Sequence, residues 1–393
     1  MSHQDYFIDA LDVLSPRGNQ DFGQAGEHAS AQLLPWPSAV SGAIRSAVLA
    51  AKGFNNSSTI KALVAAQDPL AQSLALPGAD SINGAFQLGR LCLGQQSNNA
   101  STVAPLIPLP ADIVVSGDET PEDIQRIKPS PLPSGIQSAS ATSALPILRQ
   151  GKPGKAMSGL YLNAEGWMRY VSGSNLTLDC IVKTNDFAAR RHCTGIGMDS
   201  SLRKVENGQL YTAERIEFIH TQDHRFGFAV RIYSTNNLFK ENTLLRLGGD
   251  GHGANLQPSQ IQWPDTPVEI IAKHKRFALV LQSPALFSNG YAPTELSGDH
   301  WQGNGVSATL RTSILGRSET ISGWDLLNNH PKSARRFVPA GAVYWFDNLT
   351  GDPTALLEEF PQGHWPDPVA AAEHRVTEGF NQVQLVAWHG DYS

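Results

Sequence analysis

Gly227-Phe228-Ala229-Val230-Arg231-Ile232-Tyr233 places Phe228, Val230 and Ile232 on one face of a strand and Ala229, Arg231 and Tyr233 on the other. The segment Tyr211 to His220 ahead of it is also strand-like, and Gln222-Asp223-His224-Arg225 reads as the turn between them. Two strands joined so closely form an antiparallel hairpin, not a βαβ crossover. Elsewhere helical segments are interleaved with such hairpins, so the chain reads as α+β with antiparallel sheets.

Upstream, Leu176 to Lys183 is strand-like, and the excursion between it and Tyr211 is basic. From Lys183 to Lys204 the charges are Lys183, Arg190, Arg191, Arg203 and Lys204 against Asp186 and Asp199, a net of +3, with His192 beside them. In a chain of net charge −6 this segment is either a short polyanion contact or a solvated hairpin face. Downstream comes Leu244-Leu245-Arg246-Leu247-Gly248-Gly249-Asp250-Gly251-His252-Gly253-Ala254-Asn255, with four glycines in six positions. Glycine lets the backbone take φ > 0 and approach another surface closely, so this is a backbone cradle for a phosphate or a tight turn between strands. It is no Walker loop: no Gly-Lys-Ser/Thr follows, and Gly154-Lys155 precedes Ala156.

Toward the N-terminus, Tyr6 to Leu14 reads as a strand buried on both faces and ends at Ser15-Pro16-Arg17-Gly18. A polar loop follows. Pro37 and Ser38 then start the clearest helix of the chain, with Val40, Ile44, Val48 and Ala51 at helical spacing and Lys52-Gly53 at its end. Arg45 lies on the flank of that apolar stripe. Ile60 to Leu76 reads as a second helix broken at Pro69. The stretches 105–110 and 129–146 are rich in Pro, Ser and Ala and read as irregular surface insertion, with poor order expected around Pro129–Ser143. Asp118, Glu119, Glu122 and Asp123 read as a solvated helix start. In the last third, Phe277–Leu281, Val343–Phe346 and Val383–Trp388 are apolar strands, with short helices at Trp324–Asn328 and Pro353–Glu359.

The 393 residues imply two to three domains, and 41% hydrophobic with 17% charged residues is a globular composition. With 35 Gly and 25 Pro, loops are long. No run of about 18 apolar residues is present, so no membrane span is expected. Nor does the N-terminus have a basic stretch followed by an apolar core, so an exported protein is not expected either. Cys92, Cys180 and Cys193 are too far apart for a C-x-x-C and fit a reducing cytoplasm.

In order and spacing the segments resemble one family over nearly the whole chain. The residues are Leu34-Pro35-Trp36-Pro37-Ser38 with the helix from Gly42 to Leu49, Pro108-Leu109-Pro110-Ala111-Asp112, Arg191 to Asp199, and Glu206 to Ala213. Ser283-Pro284-Ala285-Leu286-Phe287, Ile321-Ser322-Gly323-Trp324 and Val338 to Tyr344 follow the glycine loop. Together they resemble the third-subunit family of the Cmr complex, RAMP-superfamily proteins of subtype III-B CRISPR–Cas effectors. Asn381 stands where such proteins commonly have the last glycine of a Gly-aromatic-Gly turn; Asn tolerates the left-handed region best among the other residues.

The resemblance implies two ferredoxin-like (RRM-like) units with long loop insertions: residues 1–235, carrying an insertion at about 77–155 and a basic arm at about 183–210, and residues 236–393, beginning with the glycine loop. It implies a subunit that binds the 5′ repeat-derived tag of the crRNA and docks the large polymerase-like subunit. Backbone RAMP subunits would be further partners and target RNA an indirect one. By carry-over Gly248, Gly249, Gly251, His252 and Gly253 form the backbone cradle. Ser38 stands at the N-terminus of the helix, Arg45 faces phosphate, and Arg190, Arg191 and Arg203 belong to an arm that kinks the guide. No cofactor and no metal are expected, and no catalytic residue. The rival reading is a metal-independent RAMP endoribonuclease with His28 as its base, against a plain loop histidine.

Overall fold

A computed structural model of the chain describes residues 2–16, 28–29, 32–98, 100–132, 135, 142, 144–148, 156–199, 201, 204–235, 237–248, 251–303, 305–325 and 327–388. The elements that position the site in the N-terminal part are β1 (Ser2–Ala10), α1 (Pro37–Ala51), α2 (Ser57–Ala65), α3 (Pro69–Ser73), β2 (Gln87–Ser97), β3 (Thr102–Pro108), β4 (Leu160–Leu162) and α4 (Ala164–Val171). Then come β5 (Ile181–Lys183), β6 (Ala188–Asp199), β7 (Lys204–Phe218), β8 (His224–Ser234), β9 (Thr243–Leu247) and β10 (His252–Pro258). Last are β11 (Phe277–Leu281), β12 (Val306–Ile314), β13 (Val343–Gly351) and β14 (Val383–Ala387).

The architecture is helix with antiparallel sheet. A first sheet runs β5-β4-β3-β2-β8-β1-β10-β9 with neighbours antiparallel. A second runs through β12-β13-β11-β14, again antiparallel. Four strands of the first sheet, β10-β1-β8-β2, and the four of the second share one order: fourth in the chain, first, third, second.

Period-2 alternation sorts the strand residues between three layers. Tyr6, Ile8, Phe228 and Val230 face α1, where Val40 and Ile44 close a core. Phe7, Cys92 and Ala229 face the other way and pack on Ala278, Val280, Val343 and Trp345 of the second sheet. That sheet turns Phe277, Leu279, Tyr344 and Phe346 to a third layer containing Trp365. Each such large side chain contributes about 1.5–3 kcal/mol on burial. The two-faced burial expected of β1 and of Phe277–Leu281 is what holds the layers in one stack.

Several expectations are corrected. β7 and β8 do not form the hairpin that their close spacing predicts: β7 pairs with β6 in a separate ribbon, while β8 enters the first sheet between β1 and β2. The glycine stretch does not open a second unit: β10 pairs with β1, Tyr6 opposite Pro258 through Ala10 opposite Ala254, so residues 243–258 complete the first sheet. A free hydrogen-bonding edge on β1 needs that partner. The expected insertion at 77–155 supplies β2 and β3 to the sheet centre. Gly89 and Gly94 break the pattern of β2, yet a Cβ at Gly89 would lie 2.6 Å from the Tyr233 ring and one at Gly94 2.8 Å from Val103, so close packing explains both glycines. The acidic cluster leads into a hairpin, Asp123–Arg126 paired with Ile113–Ser116, instead of a helix. Trp324–Asp325 pairs with His330–Pro331 where a short helix was expected. The strand read over Leu176–Lys183 is a 3-10 turn, Leu178–Cys180, followed by β5. Within Pro129–Ser143, residues 133–134, 136–141 and 143 lie outside the described residues.

Other features stand. Pro69 does break the second helix, with the Asp68 carboxylate accepting from Leu70 N at 2.8 Å to start α3. The basic arm is the ribbon β6–β7. Asn381 takes φ +59° and is fully buried; its Oδ1 accepts from Leu286 N at 2.8 Å and its Nδ2 donates to Leu286 O at 3.1 Å. All three cysteines are free thiols, and among the described residues no helix is long and apolar enough to cross a membrane.

Candidate nucleic-acid interface

α1 and the glycine turn meet at one end of the first sheet. Pro37 fixes the first turn of α1, and no side chain caps the Trp36 N-cap position. Leu247 pairs with His252 in the β9–β10 hairpin, and at its turn Gly251 N donates to Gly248 O at 3.2 Å. Gly248 takes φ +90° and Gly251 φ +68°, the left-handed region that a Cβ disfavours. A Cβ at Gly248 would also lie 3.2 Å from Ser15 O. The tight-turn reading of these glycines is therefore met, and the turn is held against the loop that follows β1.

A third wall comes from far along the chain. Gly323, Trp324, Asp325 and Lys332 lie against the start of α1, with Trp324 left 55% exposed. The three walls enclose a cavity of about 410 Å³ whose lining includes Trp36, Ser38, Arg45, Arg246, Gly248 and Trp324. Lys332 and Glu378 line it too, and they form an ion pair. Glu378 also accepts from Arg375 Nη1 at 3.2 Å, and the buried Arg375 stacks on Phe337 and Phe380. One side of the cavity is thus an ion-paired network, while Arg246 stands exposed at the turn.

Arg45 corrects the expectation of a phosphate ligand. It is only 6% exposed. Its Nε donates to Leu74 O at 2.9 Å, Nη1 to Ser41 Oγ at 2.9 Å and Nη2 to Thr377 Oγ1 at 3.0 Å, and the guanidinium lies over the Phe86 ring at 4.7 Å. Burial pulls it down to about 10, with Glu378 acting in the opposite direction. The donors that would hold phosphate instead tie α1 to the C-terminal helix Arg375–Glu378 that carries Thr377.

The arm is less basic than its first strand suggests. Arg190 pairs with Glu214 at 2.6 Å and Arg191 with Glu217, both acids from the returning strand β7. Over residues 188–218 Arg190, Arg191, Arg203, Lys204 and Arg215 oppose Asp199, Glu206, Glu214 and Glu217, five positive charges against four negative. Arg203 and Gly249 lie outside the described residues. The ribbon base adjoins the site, because Leu14 bridges to Ile216 and Pro16, two residues on, lines the cavity. His28 pairs through its backbone with Thr212 of the ribbon.

The structure therefore brings Ser38, Arg45 and Gly248 to one cavity, with Gly251, His252 and Gly253 in the adjoining turn and strand, and sets Arg190 and Arg191 apart on the ribbon. Sequence reasoning missed Trp36, Trp324 and Lys332. Trp36 stands next to the helix start, which was a usable signal; the exposure of Trp324 had none. Among the described residues no three His, Cys, Asp or Glu side chains gather as a metal centre requires.

A protein-family model described as CRISPR-associated protein (Cas_Cmr3) matches residues 6–388. The chain belongs to the Cas_Cmr3 family. This is the family that the ordered motifs resemble. Cas_Cmr3 membership covers both sheets and every wall of the cavity. No match is found among curated proteins. Among solved structures, a chain of the type III-B Cmr-beta complex bound to cognate target RNA and AMPPnP is similar at TM-score 0.50 and 14% identity, over 97% of this chain and 96% of that one. A chain of the same complex bound to cognate target RNA is similar at TM-score 0.50 and 13% identity, with the same coverage. At such identity both likenesses speak for the fold.

Proposed function

We propose that the chain is a non-catalytic subunit of a type III-B CRISPR effector complex, holding the 5′ repeat-derived tag of the crRNA and docking the large polymerase-like subunit. The observation that carries the reading is the cavity itself. Its Trp36 and Trp324 offer ring surface for splayed bases, Arg246 offers a charge for phosphate, and the start of α1 and the glycine turn offer backbone amides. Single-stranded RNA is bound in this way, by stacking and phosphate contacts at close quarters. The ribbon β6–β7 extends from the same end and adds a second, weaker contact. Backbone RAMP subunits are the further partners, and target RNA meets the chain through the guide. The similar structures that hold cognate target RNA support this setting.

The strand order shared by the two sheets supports reading them as two ferredoxin-like units. In the first, α1 fills the first crossover and the strand β9 stands in the second; in the second, the short helices between residues 355 and 378 fill the second crossover.

The test is binding of a tag RNA by the assembled complex. Trp324→Ala is expected to weaken it by about 1–3 kcal/mol, the value of one base–aromatic stack. Arg246→Ala is expected to lower the salt slope by about one charge. Tag affinity and slope unchanged in both variants would remove the cavity from the RNA path.

A further inference from the structure

We propose that the face of the first sheet opposite α1 carries a docking site for an acidic side chain of a neighbouring protein subunit, centred on Arg90. The proposal rests on the reading of the chain as a complex subunit.

On that face Asp5 of β1 stands opposite Arg231 of β8, and the register shift between Val230 and Ile232 sets Gly89 and Arg90 of β2 beside Arg231. Arg231 grips Asp5 with both ends of its fork, Nε to Oδ1 at 2.8 Å and Nη2 to Oδ2 at 2.9 Å. Trp263 Nε1 donates to the same carboxylate at 3.2 Å. Asp5 is therefore fully engaged. Arg90 has its guanidinium 5.2 Å from the Trp263 ring centroid, and Arg231 lies 5.8 Å from it. Arg90 is half-buried and, among the described residues, makes no hydrogen bond and no ion pair. Two like charges thus sit beside one carboxylate that Arg231 and Trp263 already occupy. Burial first, and then Arg231, lower the Arg90 proton affinity to about 10.

A guanidinium held over an indole by cation–π attraction keeps its N–H groups for a carboxylate, which they fit as the Arg231 fork fits Asp5. Two arginines against one aspartate leave room for a single negative charge. The patch is also on the opposite face of the sheet from α1 and its cavity, away from the RNA path proposed above, and a chain of net charge −6 does not favour a second polyanion track. These features select a protein carboxylate.

In the assembled complex, Arg90→Lys converts the position to a primary amine that carbodiimide couples to an adjacent carboxylate as an amide, with water lost to the reagent. A coupled peptide joining position 90 to an Asp or Glu of another subunit, absent from wild type, is expected. Arg90→Gln is expected to weaken that subunit contact about 10–100-fold, as loss of a charge-assisted pair does. It leaves tag RNA affinity unchanged and the thermal midpoint of the isolated chain at or above wild type, since an unpaired like charge is removed. Coupling to Asp5 alone, wild-type assembly by Arg90→Gln, or a lowered midpoint would each overturn the site, the last by making Arg90 structural. Loss of tag RNA affinity would overturn it in favour of a nucleic-acid contact. Failure of the wild-type chain to join any complex would overturn the subunit reading and the site with it; an indifferent Arg90→Gln in a complex that forms overturns the site alone.

Discussion

Arg45→Ala separates a structural clamp from a phosphate ligand. The substitution leaves Leu74 O, Ser41 Oγ and Thr377 Oγ1 without their donor in a buried setting, and each lost partner costs about 1 kcal/mol net. The contact with Phe86 adds about 0.5–2 kcal/mol. Against this, a buried cation held near 10 is itself costly, so its removal returns part of the loss. The balance is a destabilisation of about 2–4 kcal/mol. Urea unfolding of the isolated chain measures it, with a tag-binding salt titration of the assembled complex beside it. The expected result is a midpoint shifted to lower urea with the salt slope of wild type. Full stability combined with a slope reduced by about one would refute the clamp and restore Arg45 as a phosphate contact.

His364 is buried and its imidazole is pushed down to about 4 by burial, so the folded chain keeps it neutral. Below the unfolded value of about 6.5 the unfolded state binds the extra proton first, so this contribution is complete above about pH 6.5 and is lost as pH falls toward 4, up to about 3 kcal/mol. His364→Gln is expected to flatten that part of the stability–pH curve. Asn381→Ala loses both Leu286 hydrogen bonds and puts an alanine at φ +59°, for about 3–5 kcal/mol, whereas Asn381→Gly escapes the backbone part of that cost; equal thermal midpoints for the two would contradict it. Gly248→Ala adds left-handed strain and a contact with Ser15 O, lowering stability by about 1–2 kcal/mol in denaturant unfolding. Arg190→Ala with Arg191→Ala removes two exposed ion pairs and is expected to change stability by less than about 1 kcal/mol each while weakening tag binding and its salt slope.

What was legible in the sequence is what depends on neighbours along the chain. The strands β7 and β8, the start of α1 at Pro37, the break at Pro69 and the two-faced strands β1 and β11 all follow from local pattern, whereas the hairpin read from β7 and β8 does not form, since β7 pairs with β6 and β8 with β1 and β2. Long-range pairing does not. That β10 closes onto β1, 244 residues earlier by the pairing of Ala10 with Ala254, has no local signature, and it moved the glycine turn from one unit to the other. The glycines of β2 hid a central strand because close packing, not turning, is their reason. Arg45 sat on the flank of its helix stripe, and only the distant Leu74 and Thr377 show that the flank is covered. The acids that offset the ribbon arginines lie on the returning strand, outside the basic segment 183–204. Three of the carried-over residues still meet at one cavity, because helix start and glycine turn are sequence features that the sheet merely brings together.

The central claim is that the cavity holds the guide's tag without cutting RNA. The most direct measurement is photo-crosslinking of the assembled complex to a crRNA with a photoreactive base at each tag position, with His28→Ala assayed for RNA cleavage beside wild type. Crosslinks to Trp36, Trp324 and residues 246–253, with cleavage identical in the two proteins, are the expected result. Crosslinks confined to other surfaces, or RNA cleavage lost with His28→Ala, would contradict the account.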